Sequence, residues 1–259
     1  MRQPLLLSKH NVFFDIYEKP IFVDKKEVPH RKAIINSDTN EVIGIVGKYY
    51  VPATNGTILA HIDRILSENE IPWEFENGHL IRGGSKTIIE MVFPTLSITV
   101  GKDDELQLRG YLINSFDGFS SATLKLGFLR LICKNGMMVG TQEIFIASRH
   151  MTDVTEKLIV HFQAYIEDKI NEVRGFTNKL KNLKLQNKKQ GFKIIEASTW
   201  IPKKYHEALI DEYEKIKIFN AWSLYNVFTY VITHIMKVNM ERKLFLYKEL
   251  NTEVKKWRS

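Results

Sequence analysis

The chain has 259 residues, of which 44 % are hydrophobic and 26 % charged, a composition typical of a globular protein that forms one large domain or two small ones. Its 37 basic and 30 acidic residues give a formal net charge of +7, which favours a polyanionic partner. The single cysteine excludes an internal disulfide. No signal peptide and no apolar run long enough to cross a membrane is recognisable, so we expect a soluble cytoplasmic protein.

The N-terminal region contains short apolar clusters interrupted by prolines. Residues 1–30 therefore predict either an irregular arm or a pair of edge strands. The next two β-prone segments, residues 33–36 and 42–46, flank a polar turn at residues 37–40. This pattern predicts a β-hairpin.

A helix is predicted to follow this hairpin and to end near Ser67. Asn55 or Thr57 is expected to cap its N-terminus, because short polar side chains accept hydrogen bonds from the N–H groups of the first turn. One apolar stripe along the helix is expected to face the core. The stripe consists of Ile58, Ile62, Ile65 and Leu66.

Residues 73–146 alternate between β-prone segments and turn signals, the pattern of an antiparallel β-meander. Asn77-Gly78 is predicted to form a type I′ turn between two short strands. Gly83–Lys86 is expected to be a simple hairpin turn, and Pro94 is expected to separate two further strands. The meander is predicted to form the principal sheet.

The middle of the meander is an apolar-rich segment from Ala122 to Cys133. Asp117-Gly118 precedes it and Asn135-Gly136 follows it, and both dipeptides suit two-residue turns that need positive φ. The segment is therefore predicted to be a central strand that is paired on both edges.

The apolar spacing then changes from 2 to 3.6 residues and predicts a long helix that begins at Thr152 or Asp153 and that Gly175 interrupts. Residues 174–193 contain seven basic side chains and no acidic one. This run is either a solvated face or a contact with a phosphate backbone. We expect part of it, residues 184–193, to be a flexible joint, and three of its lysines to share one helical face. These are Lys181, Lys184 and Lys188.

Three further helical segments follow, in residues 203–218, 220–235 and 236–259. The second is apolar nearly all round, as in a helix that is buried in a core or an interface. The sequence therefore predicts an α+β fold, in which a long helix packs on an antiparallel β-meander sheet and the C-terminal part is helical. The predicted divisions are an N-terminal arm (1–30), an α+β core (31–175) and a helical C-terminal region (176–259).

No catalytic or cofactor-binding motif is recognisable. The eight histidines are scattered and predict no metal site. Gly83–Lys86 lacks the spacing of a phosphate-binding loop, so no nucleotide cofactor is predicted. Cys133 lies in an apolar segment, where a cysteine is typically a small buried hydrophobe. We therefore expect a binding protein without enzymatic activity and without a cofactor.

Basic and aromatic residues are interleaved along the predicted sheet and its turns. Single-stranded nucleic-acid binders combine these two residue types, because cations follow the phosphates and aromatic rings stack on the bases. A solvated outer face and aromatic residues that plug the core would explain the same pattern. The candidate nucleic-acid-binding residues are Lys48, Tyr49, Arg82, Lys86, Arg109, Phe116, Lys125, Arg130, Lys134 and Arg149.

Four stretches together resemble a known family: GKYYVPATN (47–55), SFDGFSSATLKLGFLRLICKNG (115–136), the long helix after residue 150, and NAWSLYNVFTYVITHI (220–235). The chain is similar to phage- and plasmid-type proteins that are grouped as domain of unknown function nine-three-two. Phe119 departs from the Asp-Gly-Ser pattern of that family. The matching positions are Gly47, Tyr50, Pro52, Asn55, Asp117, Gly118, Ser120, Arg130, Cys133, Asn135, Trp222, Asn226, Thr229, Tyr230 and His234.

This resemblance implies a protein of a phage or plasmid. The order of its elements is similar to that of single-strand annealing recombinases of the RecT and Redβ type, which implies single-stranded DNA in a basic groove, a homo-oligomeric ring or filament, and no nucleotide cofactor. Our first hypothesis is therefore a phage protein that binds and anneals single-stranded DNA. The second is a non-catalytic protein-interaction factor for host defence or plasmid maintenance. The third is a metal-dependent nuclease that uses Asp117, Asn226 and His234.

Overall fold

A computed structural model describes residues 11–100, 104–120, 122–130, 135–137, 143–146, 168 and 170–257. The fold is α+β, as predicted, with antiparallel sheets followed by a helical C-terminal part. The strands are β1 (Ile16–Val23), β2 (Lys26–Asn36), β3 (Val42–Gly47), β4 (Glu74–Ile81), β5 (Lys86–Val100), β6 (Asp104–Ser115), β7 (Ala122–Arg130), β8 (Asn135–Met137) and β9 (Glu143–Ile146). The helices are α1 (Asn55–Glu68), α2 (residues 170–182), α3 (Lys188–Ala197), α4 (His206–Glu214), α5 (Ala221–Tyr230) and α6 (Met240–Val254).

The chain divides into two compact units. Unit 1 comprises Met1–Thr95, Arg109–Leu126 and Gln142–Gln163. Unit 2 comprises Leu96–Leu108, Gly127–Thr141 and Ala164–Ser259. The chain therefore passes between the units several times, and neither unit is one continuous segment.

The first sheet has the strand order β1-β2-β3. Its second hairpin joins β2 to β3 through the polar turn predicted at residues 37–40, so that prediction is confirmed. Strand β1 pairs with β2 from Ile16 opposite Asn36 to Val23 opposite Lys26. Of the two alternatives for the N-terminal region, the described part forms strands, but only β1 is an edge strand; β2 is the central strand of the sheet and continues through residue 30 without a break.

One face of this sheet contributes to the core of unit 1. Ile34, Ile43 and Val46 pack with Phe14 and Phe116, and all five side chains are buried. The buried apolar residues of β2 and β3 thus pack against the ring of Phe116, which follows β6. Burial of such large side chains away from water is the main force that stabilises the unit.

The second sheet has the order β4-β5-β6-β7-β8, and β9 also pairs with β7. Strand β7 is paired with β6 on one edge and with β8 and β9 on the other, so the predicted central strand is confirmed from Ala122 to Arg130, and its predicted end at Cys133 lies outside the described residues. The predicted turn at Asn135-Gly136 is wrong, because both residues pair with β7 as part of β8. The connection itself lies in residues 131–134, outside the described residues.

Two other predictions in this sheet, a turn and a break between strands, are also wrong. Asn77-Gly78 does not turn the chain but lies within β4, where a register shift next to Phe75 absorbs the irregularity. Pro94 does not end a strand, because β5 runs through it; the β4 ladder stops at Val92, so the proline lies beyond that pairing. The turn predicted at Gly83–Lys86 is confirmed, with φ values of 65° at Gly83 and 90° at Gly84.

Helix α1 is capped by a different residue from the two predicted. Thr54, not Asn55 or Thr57, is the N-cap, and its side chain accepts a hydrogen bond from the N–H of Thr57. The predicted apolar stripe is confirmed, since all four of its side chains are buried: Ile58, Ile62, Ile65 and Leu66. Asn55 is also buried, which leaves its amide available for contacts within the core.

The lysine-rich stretch of unit 2 is not one continuous helix. Helix α2 continues through Gly175 and ends at residue 182, and most of the long helix predicted before it lies outside the described residues. Lys184 instead forms an isolated β-bridge with Asn220, and Lys188 begins α3. Lys181, Lys184 and Lys188 therefore do not share a helical face, and the predicted joint contains regular structure.

Helices α3 to α6 pack successively against one another in unit 2. Helix α5 is buried nearly all round, as its sequence predicts, and ends in a short π-helical turn, Val231–Ile235. Asn187, Asn220 and Asn239 cap the N-termini of α3, α5 and α6. Along the described part of the chain, no helix is sufficiently long and apolar to span a membrane.

Candidate nucleic-acid interface

An open cleft of about 620 Å³ lies on the first sheet of unit 1. Five of its lining residues are basic, two are acidic and two are prolines. The basic residues come from β1, from β2 and from the segment after β3. They are Lys19, His30, Arg31, Lys32 and Lys48.

The cleft exists because β2 separates from β1 in the middle of their ladder. Pro20 pairs with Lys32 and Phe22 pairs with Glu27, so four residues of β2 lie opposite a single residue of β1. Pro29 lies within this bulge and has no N–H group to donate to a ladder. The bulged segment carries His30 and Arg31 to the wall of the cleft.

His30 has φ of 63°, the left-handed region that non-glycine residues rarely adopt. Its carbonyl oxygen accepts a hydrogen bond from the N–H of Lys48 at 3.0 Å. This bond ties the bulge to the end of β3. Left-handed non-glycine residues store strain and are often found at functional sites.

The charges in the cleft are only partly compensated. Lys32 forms an ion pair with Glu18 at 2.8 Å. The ammonium group of Lys19 lies 5.4 Å from the centre of the Tyr17 ring. Arg31 and Lys48 are exposed and have no ion pair with any described residue. The cleft is therefore positive, and it can attract phosphate groups by Coulombic attraction.

Two aromatic rings of unit 1 are exposed. Tyr49 follows Lys48 directly and is 77 % exposed, and Phe119 is 88 % exposed. Large exposed rings are unusual on a protein surface because they forgo burial. A base can stack on a ring of this kind through its π-face, whatever its identity.

A hydrogen-bond network connects the segment after β3 with the segment after β6. The Tyr50 hydroxyl donates to the carbonyl oxygen of Ser115 at 2.9 Å. The Ser115 hydroxyl donates to the carboxylate of Asp117, which also accepts a bond from the N–H of Phe119 at 3.0 Å. Burial raises the pKa of Tyr50 above its ordinary value, and the negative charge of Asp117 raises it further.

A second, buried part of the network is centred on Asn55. Its Nδ2 donates to the carbonyl oxygen of Val12 at 2.7 Å. Its Oδ1 accepts from Thr87 Oγ1 at 3.0 Å and from Asn114 Nδ2 at 2.9 Å. Asn114 Nδ2 also donates to the carbonyl oxygen of Ala53. These bonds hold the start of α1 against β5 and β6.

The bend that carries Phe119 rests directly on β3. A side chain at Gly44 would collide with the backbone carbonyl of Phe116, so only glycine permits this approach. Gly118, with φ of 77°, lies beside Val46. The bend thus packs closely on β3, and the Tyr50 bond joins the two motif segments, residues 47–55 and 115–120.

Two of the predicted nucleic-acid-binding residues are corrected by their burial. Phe116 is 1 % exposed and packs in the core, so it offers no face to a base; Phe119 is the exposed ring of this segment. Arg109 is 8 % exposed, and its Nη1 lies 3.3 Å from Glu76 Oε2. Its guanidinium is therefore used inside the protein rather than on a phosphate.

The remaining predicted residues have different surroundings. Arg82 is exposed in the turn before β5, Lys86 is half-buried, and Lys125 is half-buried with Glu143 opposite it in the β7–β9 register. All three have contacts within the chain. The side chain of Arg130, and Lys134 and Arg149 entirely, lie outside the described residues.

The cleft residues from β1 and β2 were missed by sequence reasoning. His30-Arg31-Lys32 is a basic run directly after Pro29, and that run was the available signal. The predicted boundary at residue 30 places His30 in the arm and Arg31 and Lys32 in the α+β core. Only the register of β1 with β2 shows that this run lies beside a bulge and lines the same cleft as Lys19.

The residues of the nuclease hypothesis are divided between the units. Asp117 belongs to unit 1, whereas Asn226 and His234 belong to unit 2. Asn226 Nδ2 donates to the carbonyl oxygen of Trp222 at 2.8 Å, and the His234 ring packs on Tyr230 at 4.9 Å. In the described ranges, no group of three or more His, Cys, Asp or Glu residues could hold a metal ion.

Residues 42–255 match the family described as Domain of unknown function (DUF932), which is more than half of the chain. The chain therefore belongs to this family. No curated protein and no solved structure gives a significant match.

Proposed function

We propose that this protein binds and anneals single-stranded DNA as a homo-oligomer, in the cytoplasm of a bacterial cell that carries a phage. The observation that supports this function most directly is the positive cleft on the first sheet, where Lys48 directly precedes the exposed ring of Tyr49. A second exposed ring, Phe119, belongs to the bend that packs on β3. Backbone phosphates bind at Lys19, Arg31 and Lys48. Bases stack on Tyr49 and Phe119.

Binding the phosphates through cations and the bases through aromatic rings suits annealing. A ring that stacks on a base contacts only its face and leaves the Watson–Crick edge free to pair with a second strand. Lysine and arginine contacts to phosphates are independent of sequence. Strand pairing in this scheme requires positioning and charge neutralisation, and no catalytic step or cofactor is needed.

Self-association is supported by the open first sheet. Within the described residues β1 and β3 are its two edge strands. Val42 and Ile45 of β3 are 58 % and 57 % exposed. Unpaired edges with exposed apolar side chains are templates for a further strand. We propose that a second copy of this chain supplies that strand.

The test is the affinity for a fluorescent oligodeoxythymidylate, measured by anisotropy over a salt series. Three phosphate contacts predict a loss of about twentyfold in affinity between 50 and 200 mM salt. The double variant Arg31→Glu/Lys48→Glu should bind at least tenfold more weakly and should lower the salt slope by about 1.4. Lys193→Glu/Lys217→Glu changes the net charge equally at exposed positions of unit 2 and is the matched control.

Equal affinity of the two double variants would refute the cleft as the binding site. An annealing assay with complementary oligonucleotides, and light scattering with and without DNA, test the other parts of the proposal. A monomer that accelerates no pairing would exclude the annealing function.

The alternative proposal is a non-catalytic factor that binds another protein. The observation in its favour is the tip of the β1–β2 hairpin, where Phe22 is 58 % and Val23 is 60 % exposed. It predicts no more DNA affinity than any protein of equal charge has. The salt series therefore separates the two functions.

A further inference from the structure

A second cavity, of about 650 Å³, lies in unit 2 between α2 and the C-terminal end of α6. Its apolar floor includes Phe176, Leu180 and Trp257. Its rim carries Lys179, Asn182 and Lys255. No residue of the basic cleft lines this cavity, so the inference does not depend on the proposed function.

The floor of the cavity is held in place by α5. The Phe176 ring meets the Tyr225 ring edge-on at 5.6 Å, and the Trp257 ring packs on Phe228 at 5.7 Å. Leu180 is only 2 % exposed. Side chains so packed keep their positions when a ligand enters, and a preformed apolar site of this size is typical for small organic ligands.

The polar groups around the cavity define the ligand. Lys179 and Lys255 are exposed and form no ion pair with any described residue. Among the described residues that line the cavity, none is acidic. The amide of Asn182 can both donate and accept a hydrogen bond. The indole N–H of Trp257 is buried and lacks a partner among the described residues.

We propose that this cavity binds one nucleoside monophosphate unit. Its flat base packs on the Phe176 and Trp257 side of the cavity, and its edge meets the Asn182 amide. The phosphate binds between Lys179 and Lys255. A fully apolar ligand would leave both lysines without a counter-charge, and a purely ionic ligand would leave the apolar floor of the cavity exposed. The unit is either a free nucleotide or one nucleotide of a DNA strand.

Calorimetric titration with deoxyadenosine monophosphate tests the proposal. Deoxyadenosine and inorganic phosphate, titrated separately, should each bind at least tenfold more weakly than the nucleotide. Lys179→Glu/Lys255→Glu should weaken nucleotide binding at least tenfold. Asn182→Trp, which places a large ring on the exposed rim, should do the same without a change of charge. Lys193→Glu/Lys217→Glu should bind as the unchanged protein does.

Two results would overturn the proposal. One is a nucleotide that binds no better than phosphate; the other is full affinity in Lys179→Glu/Lys255→Glu and Asn182→Trp when both variants are folded by circular dichroism. Competition identifies the source of the unit. If a thymidylate oligonucleotide displaces the nucleotide, the unit belongs to a strand. If the oligonucleotide and the nucleotide bind at the same time, the cavity binds a free nucleotide. Either result supports the cavity, even if Arg31→Glu/Lys48→Glu shows that the cleft does not bind DNA.

Discussion

Replacing Asn55 by alanine tests whether the buried network holds the first unit together. The substitution removes the acceptor of the Thr87 hydroxyl and the donor to the Val12 carbonyl oxygen. Asn114 loses one bond but retains the bond to Ala53. Asn55 itself is 1 % exposed, so water does not reach these groups freely in the intact protein.

The expected cost follows from the two groups that lose their partner. A buried polar group without a partner costs about 1–3 kcal/mol, so two such groups predict a loss of about 2–6 kcal/mol in the free energy of unfolding. Urea unfolding, followed by circular dichroism and by tryptophan fluorescence, measures this loss. Asn178→Ala, at an exposed position of α2, should change the free energy of unfolding by no more than about 0.5 kcal/mol.

The reasoning is refuted if Asn55→Ala unfolds at the same urea concentration as Asn178→Ala. That result would mean that the network contributes no net stability. Non-coincident transitions by the two probes would show that the units unfold separately, and the loss should then appear in the transition that involves unit 1.

Three further predictions concern the same region. Gly44→Ala should destabilise the protein by about 1–3 kcal/mol in urea because of its collision with the backbone after β6, whereas Gly47→Ala, with open space around it, should change stability by less than about 0.5 kcal/mol. The folded state holds the Tyr50 proton more tightly than the unfolded state, so stability should fall as the pH rises above about 10, and Tyr50→Phe should reduce that fall in urea titrations at successive pH values. Phe116→Ala should cost about 3–5 kcal/mol of stability. Phe119→Ala should leave stability unchanged and weaken DNA binding by about 1–3 kcal/mol in anisotropy titrations. If Phe119→Ala instead lowers stability and leaves DNA binding unchanged, Phe119 is not the ring that stacks on a base.

Local patterns were sufficient for most of the secondary structure. The buried stripe of α1, the hairpin before it and the apolar helix α5 are all confirmed, because each depends on the spacing of apolar residues along one segment. Asn77-Gly78 and Asn135-Gly136 show the limit of local signals. Both dipeptides suit a tight turn, but pairing with a neighbouring strand favours extended backbone there.

The candidate site was only partly predictable. Lys48 and Tyr49 are exposed, as a binding surface requires, whereas Phe116 and Arg109 have the right chemistry and are buried. Composition cannot distinguish a ring on the surface from a ring in the core. Which of the two rings is exposed, Phe116 or Phe119, depends on how the bend after β6 packs on β3.

The sequence by itself determined the α+β class, the positive charge and the absence of any recognisable cofactor motif, because these depend on composition and on short-range periodicity. Only the tertiary structure brought Lys19, Arg31 and Lys48 into one cleft, since β1 must pair with β2 across a bulge before distant cations become neighbours. Likewise, only the packing of the bend after β6 on Gly44 of β3, together with the bond from Tyr50 to Ser115, brought the two motif segments together. Both arrangements depend on contacts between residues far apart in the chain, which no local pattern encodes.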